Sequence, residues 1–136
     1  MKIIFDNIIF SLQKAGGISV VWTELLKSII SSGLEYKCLE YNSSQNNIFR
    51  NKIEIPSQNI ILSNYSSTKI QRYFNPQIRE IIDTPFIFHS SYYRYCTHKK
   101  AINFTTVHDF TYEYFSSGIK KIIHCYQKHK AIKKSE

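Results

Sequence analysis

The chain has 136 residues, of which 43% are hydrophobic and 15% aromatic, and its formal charge is +8. This length allows one domain with a core of its own, and the apolar content excludes a disordered protein. No apolar run approaches the length of a transmembrane helix, and Asp6 interrupts the apolar N-terminal stretch, which excludes a signal peptide. We therefore expect a cytoplasmic protein.

The N-terminal part of the chain predicts a strand, a glycine turn and a helix in succession. We expect the strand over residues 2–10 and the helix over residues 18–32, with Gly33 as its C-cap. The apolar residues of the helix recur at the spacing of one buried face: Ile18, Val21, Trp22, Leu25, Leu26, Ile29 and Ile30. Gly16 and Gly17 precede this helix, an arrangement that places backbone N–H groups against a phosphate in many α/β proteins.

Strands and helices continue to alternate along the rest of the chain. We expect a strand at Glu35–Tyr41, a loop over 42–51, one or two short β segments within Ile53–Leu62, a helix over Thr68–Ile82 distorted at Pro76, strands at Pro85–His89 and Ala101–Val107, and a helix over Ile119–Ile132. The last helix has Ile119, Ile122, Ile123 and Tyr126 on one side. This alternation predicts an α/β fold, a Rossmann-like parallel sheet with helices on both faces and the first strand at its centre.

Polar residues follow three of the predicted strands, where ligands bind in open α/β sheets. The three segments are Gln13–Ser19, His89–Tyr93 and Thr106–Asp109. Gly16 and Gly17 form either a plain turn or a phosphate loop; their pattern is neither a dinucleotide-binding fingerprint nor a P-loop. His108 is either structural or aimed at a sugar or phosphate as acid, base or hydrogen-bond donor. Tyr92 and Tyr93 either pack in the core or stack on a sugar.

Metal chemistry finds no support in the sequence. His108 and Asp109 lack further ligands at a suitable spacing, so we expect no metal site. The three cysteines, Cys38, Cys96 and Cys125, are odd in number and widely spaced, which predicts reduced thiols.

Positive charge is concentrated near the C-terminus, at Lys120, Lys121, Lys128, Lys130, Lys133 and Lys134. Such a run is typical of a solvated helix face. It is also suited to an anionic lipid surface or to phosphate groups. Nucleic acid is a further candidate, although no DNA- or RNA-binding motif accompanies the charge.

Taken in order, several segments match one family. They are Phe5-Asp6 with Gln13, Ala15-Gly16-Gly17-Ile18-Ser19, Glu24-Leu25-Leu26, Phe88-His89-Ser90-Ser91-Tyr92-Tyr93, Thr105-Thr106-Val107-His108-Asp109 and Gln127-Lys128-His129-Lys130-Ala131-Ile132. With these segments the chain resembles the N-terminal half of a GT-B glycosyltransferase of the retaining family 4, which includes many bacterial mannosyltransferases. The resemblance covers nearly the whole chain, with a divergent middle from Asn42 to Asp83.

The resemblance implies sugar transfer with retention, without a metal or other cofactor. The implied donor is a GDP- or UDP-linked sugar, the acceptor is a saccharide or lipid-linked saccharide, and the setting is bacterial polysaccharide or lipopolysaccharide assembly. His108 is implied as the catalytic residue that faces the donor sugar, and Gly16 and Gly17 as the residues next to the donor diphosphate. The implied acceptor- or sugar-binding residues are Ser19, Tyr92, Tyr93 and Asp109.

In this family residues 1–136 correspond to the acceptor-side Rossmann-like domain, and we expect the C-terminal donor-binding domain to be absent. The last predicted helix has no Gly or Pro stop signal, so we expect a truncated chain that is inactive unless a C-terminal domain is supplied in trans. We expect it in the cytoplasm, peripheral on the inner face of the membrane. The alternatives are a non-catalytic binding module or inactive product, and a basic nucleic-acid-binding protein.

Overall fold

The computed structural model describes residues 1–63, 68–78 and 82–135. Its centre is a five-stranded, fully parallel sheet in the order β3-β2-β1-β4-β5. The strands are β1 (Ile3–Asp6), β2 (Tyr36–Tyr41), β3 (Ile60–Ser63), β4 (Phe86–Ser90) and β5 (Ala101–Thr105). The predicted Rossmann-like α/β fold is confirmed, and so is the central position of the first strand.

Five helices accompany the sheet in the described residues. They are α1 (Ile9–Leu12), α2 (Gly17–Ser31), α3 (Thr68–Gln71), α4 (Thr111–Phe115) and α5 (Gly118–Lys133). Short 3₁₀ turns occupy Ser44–Asn46, Arg50–Lys52 and Ser57–Asn59. The described part of the chain contains no helix long and apolar enough to cross a membrane. All three cysteines are free thiols in this structure.

Helix α2 packs against the sheet with a face rotated by one position from the predicted one. Its fully buried side chains are Ser19, Trp22, Thr23 and Leu26. Leu25 is half-buried against the same core, whereas Val21 is 56% exposed. The expectation for Trp22 is confirmed and that for Val21 is wrong, because two small polar residues take the inner positions. The helix ends as predicted, since Gly33 adopts a left-handed φ of 71°.

Three predicted boundaries differ from the structure. The first strand ends at Asp6, and residues 9–12 turn into α1 instead of extending it, with the Leu12 N–H bonded to the Ile8 carbonyl. Within Ile53–Leu62 only the β3 region is a strand. The helix expected over Thr68–Ile82 is short, although residues 79–81 of that range lie outside the described residues. Helix α4 was not predicted.

Helix α5 exposes the apolar side and buries a polar one. Its buried residues are His124, Lys128 and Ala131. The predicted one-sided set is exposed: Ile119 at 75%, Ile122 at 68%, Ile123 at 44% and Tyr126 at 65%. The helical spacing was correct, but it does not identify the face that packs on the sheet.

Candidate functional site

The three polar segments meet at one cavity of about 180 Å³ beside the carboxyl ends of the strands. Gln13 and Ile18 line it from the segment after β1, Tyr92 and Tyr93 from the segment after β4, and His108 and Asp109 from the segment after β5. Other elements contribute Ile9, Leu12, Arg72, Tyr112 and His124. The shared edge follows from the parallel sheet, because all strands end on the same side.

Gly16 and Gly17 lie between two lining residues, Gln13 and Ile18, without lining the cavity themselves. Gly17 opens α2, and the space where a Cβ would stand is empty. At Gly16 a Cβ would come within 2.6 Å of the Gln13 side-chain oxygen. The neighbouring chain therefore leaves room beside Gly17, while a Cβ at Gly16 would require the end of the Gln13 side chain to shift.

Ser19 is not placed to contact a sugar, which corrects the expectation for this residue. Its side chain is fully buried. Its hydroxyl oxygen accepts hydrogen bonds from the Gln13 amide nitrogen at 2.8 Å and from the Asn47 amide nitrogen at 2.9 Å. Asn47 also donates to the Gln13 carbonyl at 2.8 Å. Ser19 and Asn47 thus fix the shape of the glycine loop from behind.

His108 is half-buried at the cavity wall, and its Nε2 has no hydrogen-bond partner. Burial lowers the pKa of His108, although the Asp109 carboxylate acts in the opposite direction. Burial and the nearby His108 lower the pKa of His89 from 6.5 to about 4. His89 is held by Thr106, whose Oγ1 lies 2.8 Å from the His89 Nε2, and by edge contact with the Trp22 ring at 4.9 Å. Both imidazoles are therefore neutral at pH 7.

Tyr92 and Tyr93 pack around His124 at the cavity wall. Their ring centroids lie 5.8 Å and 5.4 Å from the imidazole, edge-on, while Tyr112 stacks on it at 3.7 Å. Tyr93 is 5% exposed, and Tyr92 is half-buried. Both rings pack against His124 and both line the cavity, and the stacking of a sugar on them stays a prediction.

A larger cavity of about 390 Å³ lies on the other side of Tyr93 and was not predicted. Its wall contains four tyrosine rings, two amide side chains, an isoleucine and a lysine: Tyr73, Asn75, Tyr93, Tyr95, Ile123, Tyr126, Gln127 and Lys130. The only sequence signal for it was the count of ten tyrosines, which does not show where they gather.

Asp109 and Lys128 are tied into a polar cluster below the cavity. The exposed Asp109 accepts a hydrogen bond from the Thr111 N–H at 3.0 Å, and its carbonyl accepts one from the Lys128 ammonium at 2.6 Å. Lys128 also pairs with the Glu113 carboxylate at 2.7 Å and is only 3% exposed. Lys128 therefore does not belong to the solvated basic run, which corrects that expectation. Lys120, Lys130, Lys133 and Lys134 are exposed.

A second polar network, also missed from the sequence, supports the site from inside the sheet. The fully buried Asp6 carboxylate accepts hydrogen bonds from Ser90 at 2.6 Å and from the Arg94 Nε at 2.8 Å, and it contacts the Tyr41 hydroxyl at 3.2 Å. The Arg94 Nη2 donates to the same carboxylate. This network joins the ends of β1, β2 and β4 just beneath the segments that form the cavity.

The fold defines an α/β protein of the Rossmann-like class, with a cavity at the carboxyl edge of a parallel sheet. The chain matches no protein-family model, no curated protein and no solved structure. The described residues contain no group of three or more His, Cys, Asp or Glu side chains that could hold a metal ion.

Proposed function

We propose that this chain forms the acceptor-side half of a retaining glycosyltransferase that uses a nucleotide-sugar donor. One observation carries the proposal: the three segments that resemble family 4 line the same cavity at the carboxyl edge of the sheet. Gln13, Tyr92 and His108 are far apart in the chain but line one cavity, so a single ligand bound there can contact all three.

The donor diphosphate fits best at the start of α2. This helix has 15 residues, begins at Gly17 and has no side-chain hydrogen bond at its N-cap. Free N–H groups and the positive end of the helix dipole favour an anion there. The open space beside Gly17 allows a close approach, so a larger side chain at this position should block it.

His108 is the best candidate for contact with the donor sugar. Its neutral imidazole offers one N–H and one acceptor nitrogen, and the Nε2 at the cavity wall has no partner in the protein. It can therefore hydrogen-bond a sugar hydroxyl or stabilise charge that develops during transfer. Asp109 stands beside it with an exposed carboxylate that can accept hydrogen bonds from hydroxyl groups.

In this proposal the acceptor binds beside Tyr92 and Tyr93. Tyr93 separates the cavity at the strand ends from the larger tyrosine-lined cavity, which has room for further saccharide units. Aromatic faces with a few amide and hydroxyl groups suit the apolar faces and hydroxyl edges of sugars.

Binding of UDP-glucose and GDP-mannose to the isolated chain tests the donor part, by ligand-observed NMR. We expect weak binding of one of them, reduced by Gly17→Val and by His108→Ala. His129→Ala, which removes an exposed imidazole from α5, is the matched control and should leave binding unchanged. The chain supplies one half of the proposed cleft, so we expect no sugar transfer from residues 1–136 alone.

The alternatives give different results in the same experiment. Binding of saccharides without any binding of nucleotide sugars would favour a non-catalytic binding module. Steeply salt-dependent binding to random DNA, with neither sugar nor nucleotide sugar bound, would favour the nucleic-acid alternative. Nucleotide-sugar binding that is unaffected by both Gly17→Val and His108→Ala would reject the proposed site.

A further inference from the structure

Three nitrogen atoms on residues that line the cavity beside the strand ends have no hydrogen-bond partner. They are the Arg72 Nε, the His108 Nε2 and the His124 Nδ1, and all three are buried within the described part of the chain. Their residues all line the 180 Å³ cavity. A buried polar atom without a partner is unfavourable, so three of them on residues that line one cavity indicate a missing ligand.

The position of His124 is fixed by its surroundings. It is 7% exposed, stacks on Tyr112 and contacts the edges of Tyr92 and Tyr93. The imidazole therefore has little freedom to turn away and find another partner. The guanidinium of Arg72 lies over the Tyr92 ring at 5.9 Å, which places it on the same aromatic wall.

The charges around the cavity favour an anion. Arg72 is a permanent cation, and its guanidinium carries only hydrogen-bond donors and no acceptor atom. The negative charges nearby are the carboxylate of Asp109, which lines the cavity, and that of Glu113, which is paired with Lys128. Lys120 adds a positive charge at a smaller depression formed with Arg72 and His124.

We propose that Arg72, His108 and His124 together bind a phosphoryl group in this cavity. A phosphoryl group offers three acceptor oxygens, one for each nitrogen, whereas a carboxylate offers two and a neutral sugar hydroxyl competes poorly for a guanidinium. The cavity is several times the roughly 30 Å³ that one water molecule occupies in the liquid, so the group has room. None of the three residues belongs to the loop that contains Gly16 and Gly17.

The phosphoryl group has more than one possible source. It can be the phosphate of a lipid-linked acceptor, the diphosphate of a nucleotide bound here instead of at the start of α2, or free phosphate. The first source rests on the proposed function, the second would move its donor diphosphate from α2 to this cavity, and the third is independent of it. The binding chemistry is the same in all cases, and it predicts that an anion in the cavity favours the charged form of both imidazoles.

NMR titration of the histidine ring protons with inorganic phosphate tests the site directly. Burial lowers the pKa of His108 and of His124, and for His124 the neighbouring Lys128 and Arg72 lower it further while Glu113 and Asp109 oppose them. Bound phosphate should raise the pKa of both residues. The ring resonances of the exposed His129 serve as the internal control and should not respond.

Arg72→Gln should weaken phosphate binding about tenfold or more, because it removes a charge-assisted hydrogen bond. Lys99→Gln removes the same charge from an exposed site before β5, at the opposite edge of the sheet, and should have little effect. Circular dichroism of both variants checks that each is folded. Should Arg72→Gln not fold, the His108 and His124 titrations of the wild-type chain decide alone.

The proposal is overturned if phosphate leaves the His108 and His124 titrations unchanged, or if Lys99→Gln weakens binding as much as Arg72→Gln. UDP and a short alkyl phosphate, compared with inorganic phosphate, identify the source: tighter UDP binding indicates a nucleotide, and tighter alkyl phosphate binding a lipid-linked acceptor. Equal binding of all three supports a site for phosphate alone. Nucleotide-sugar binding without any phosphate response would refute this site and leave the proposed function standing.

Discussion

The two sides of the molecule differ in the side chains that they bury. Around β1 and α2 the core is apolar, with Phe5, Phe10, Trp22 and Leu26 almost completely buried. In α5 two of the three buried side chains, His124 and Lys128, are polar, and large apolar side chains of α4 and α5, such as Phe115 at 85% exposure, are exposed. The first side contributes an apolar core, whereas α4 and α5 contribute Tyr112 and His124 to the cavity lining.

The buried ion pairs differ in the same way. Asp6 and Arg94 are 0% and 2% exposed, and both oxygens of the carboxylate have hydrogen-bond partners. Lys128 is equally buried, but its partner Glu113 is 27% exposed and one oxygen of that carboxylate has no partner. Complete pairing indicates a fixed structural network, whereas the partly exposed Glu113 leaves the Lys128 pair within reach of water.

Arg94→Met should cause the largest loss of stability. It leaves the fully buried Asp6 carboxylate without its cation, which costs about 3–5 kcal/mol. Lys128→Met is the matched control on the other side of the molecule, and its effect should be smaller because water can reach Glu113. Urea denaturation followed by circular dichroism measures both. Equal losses would remove the distinction between the two ion pairs.

Leu26→Ala and Ile122→Ala compare the apolar residues of the two sides. Leu26 is fully buried against the sheet, so its truncation should cost about 2–5 kcal/mol. Ile122 is 68% exposed, and its truncation should change stability by no more than about 0.5 kcal/mol. A large loss at Ile122, measured by the same denaturation experiment, would mean that α5 packs through its isoleucine side.

The sequence predicted the parallel strands and the central position of β1, because strands that alternate with helices favour a parallel sheet. It did not predict which face of a helix packs. In α2 the inner positions include Ser19 and Thr23, and in α5 they include His124 and Lys128. Ser19 and Lys128 pair with residues from other segments, Asn47 and Glu113, while the Thr23 Oγ1 and the His124 Nδ1 have no hydrogen-bond partner. Apolar periodicity contains no information about such pairs.

Only part of the candidate site was predicted from the sequence. Gln13, Tyr92 and His108 follow parallel strands, so their meeting at one edge could be expected. Arg72 and His124 lie on elements whose packing was not predicted, and nothing in the sequence ties them to the cavity. Their contribution becomes visible only through the unpartnered nitrogen atoms.

Acid should destabilise the protein through His89, on the side of the apolar core. The pKa of His89 is about 4 in the folded protein and has its ordinary value of 6.5 in the unfolded chain. Between these values the unfolded state binds a proton that the folded state does not, so stability falls as the pH drops from 6.5 toward 4. At 1.36 kcal/mol per pKa unit the loss approaches about 3 kcal/mol.

His108 and His124 change stability in the same direction, because burial lowers the pKa of both. His89→Gln isolates the contribution of His89, since its unfolding free energy should vary less with pH than that of the wild type. His129→Gln should follow the wild-type curve. Identical pH profiles of wild type and His89→Gln, from urea midpoints at several pH values, would contradict the assignment.

The exposed side of α5 gives the smallest expected effect. We propose that it meets an anionic lipid surface: residues 118–133 contain no acidic side chain, and exposed isoleucines alternate there with exposed lysines such as Lys120 and Lys133. Each lysine near such a surface contributes about 1 kcal/mol, and this attraction weakens with salt. Exposed apolar side chains add affinity by entering the headgroup region.

Sedimentation with vesicles of phosphatidylcholine and phosphatidylglycerol measures this binding. Lys120→Gln and Lys133→Gln should each weaken it by about fivefold, the equivalent of 1 kcal/mol, and Ile122→Ser should weaken it at every salt concentration. Lys99→Gln, at the opposite edge of the sheet, is the control for net charge. If Lys99→Gln weakens binding as much as Lys120→Gln, the attraction belongs to the overall charge of +8 and not to α5. The absence of any vesicle binding would mean that the lysines of α5 form a solvated face, in which case the contrast between the two sides of the molecule concerns the cavity alone.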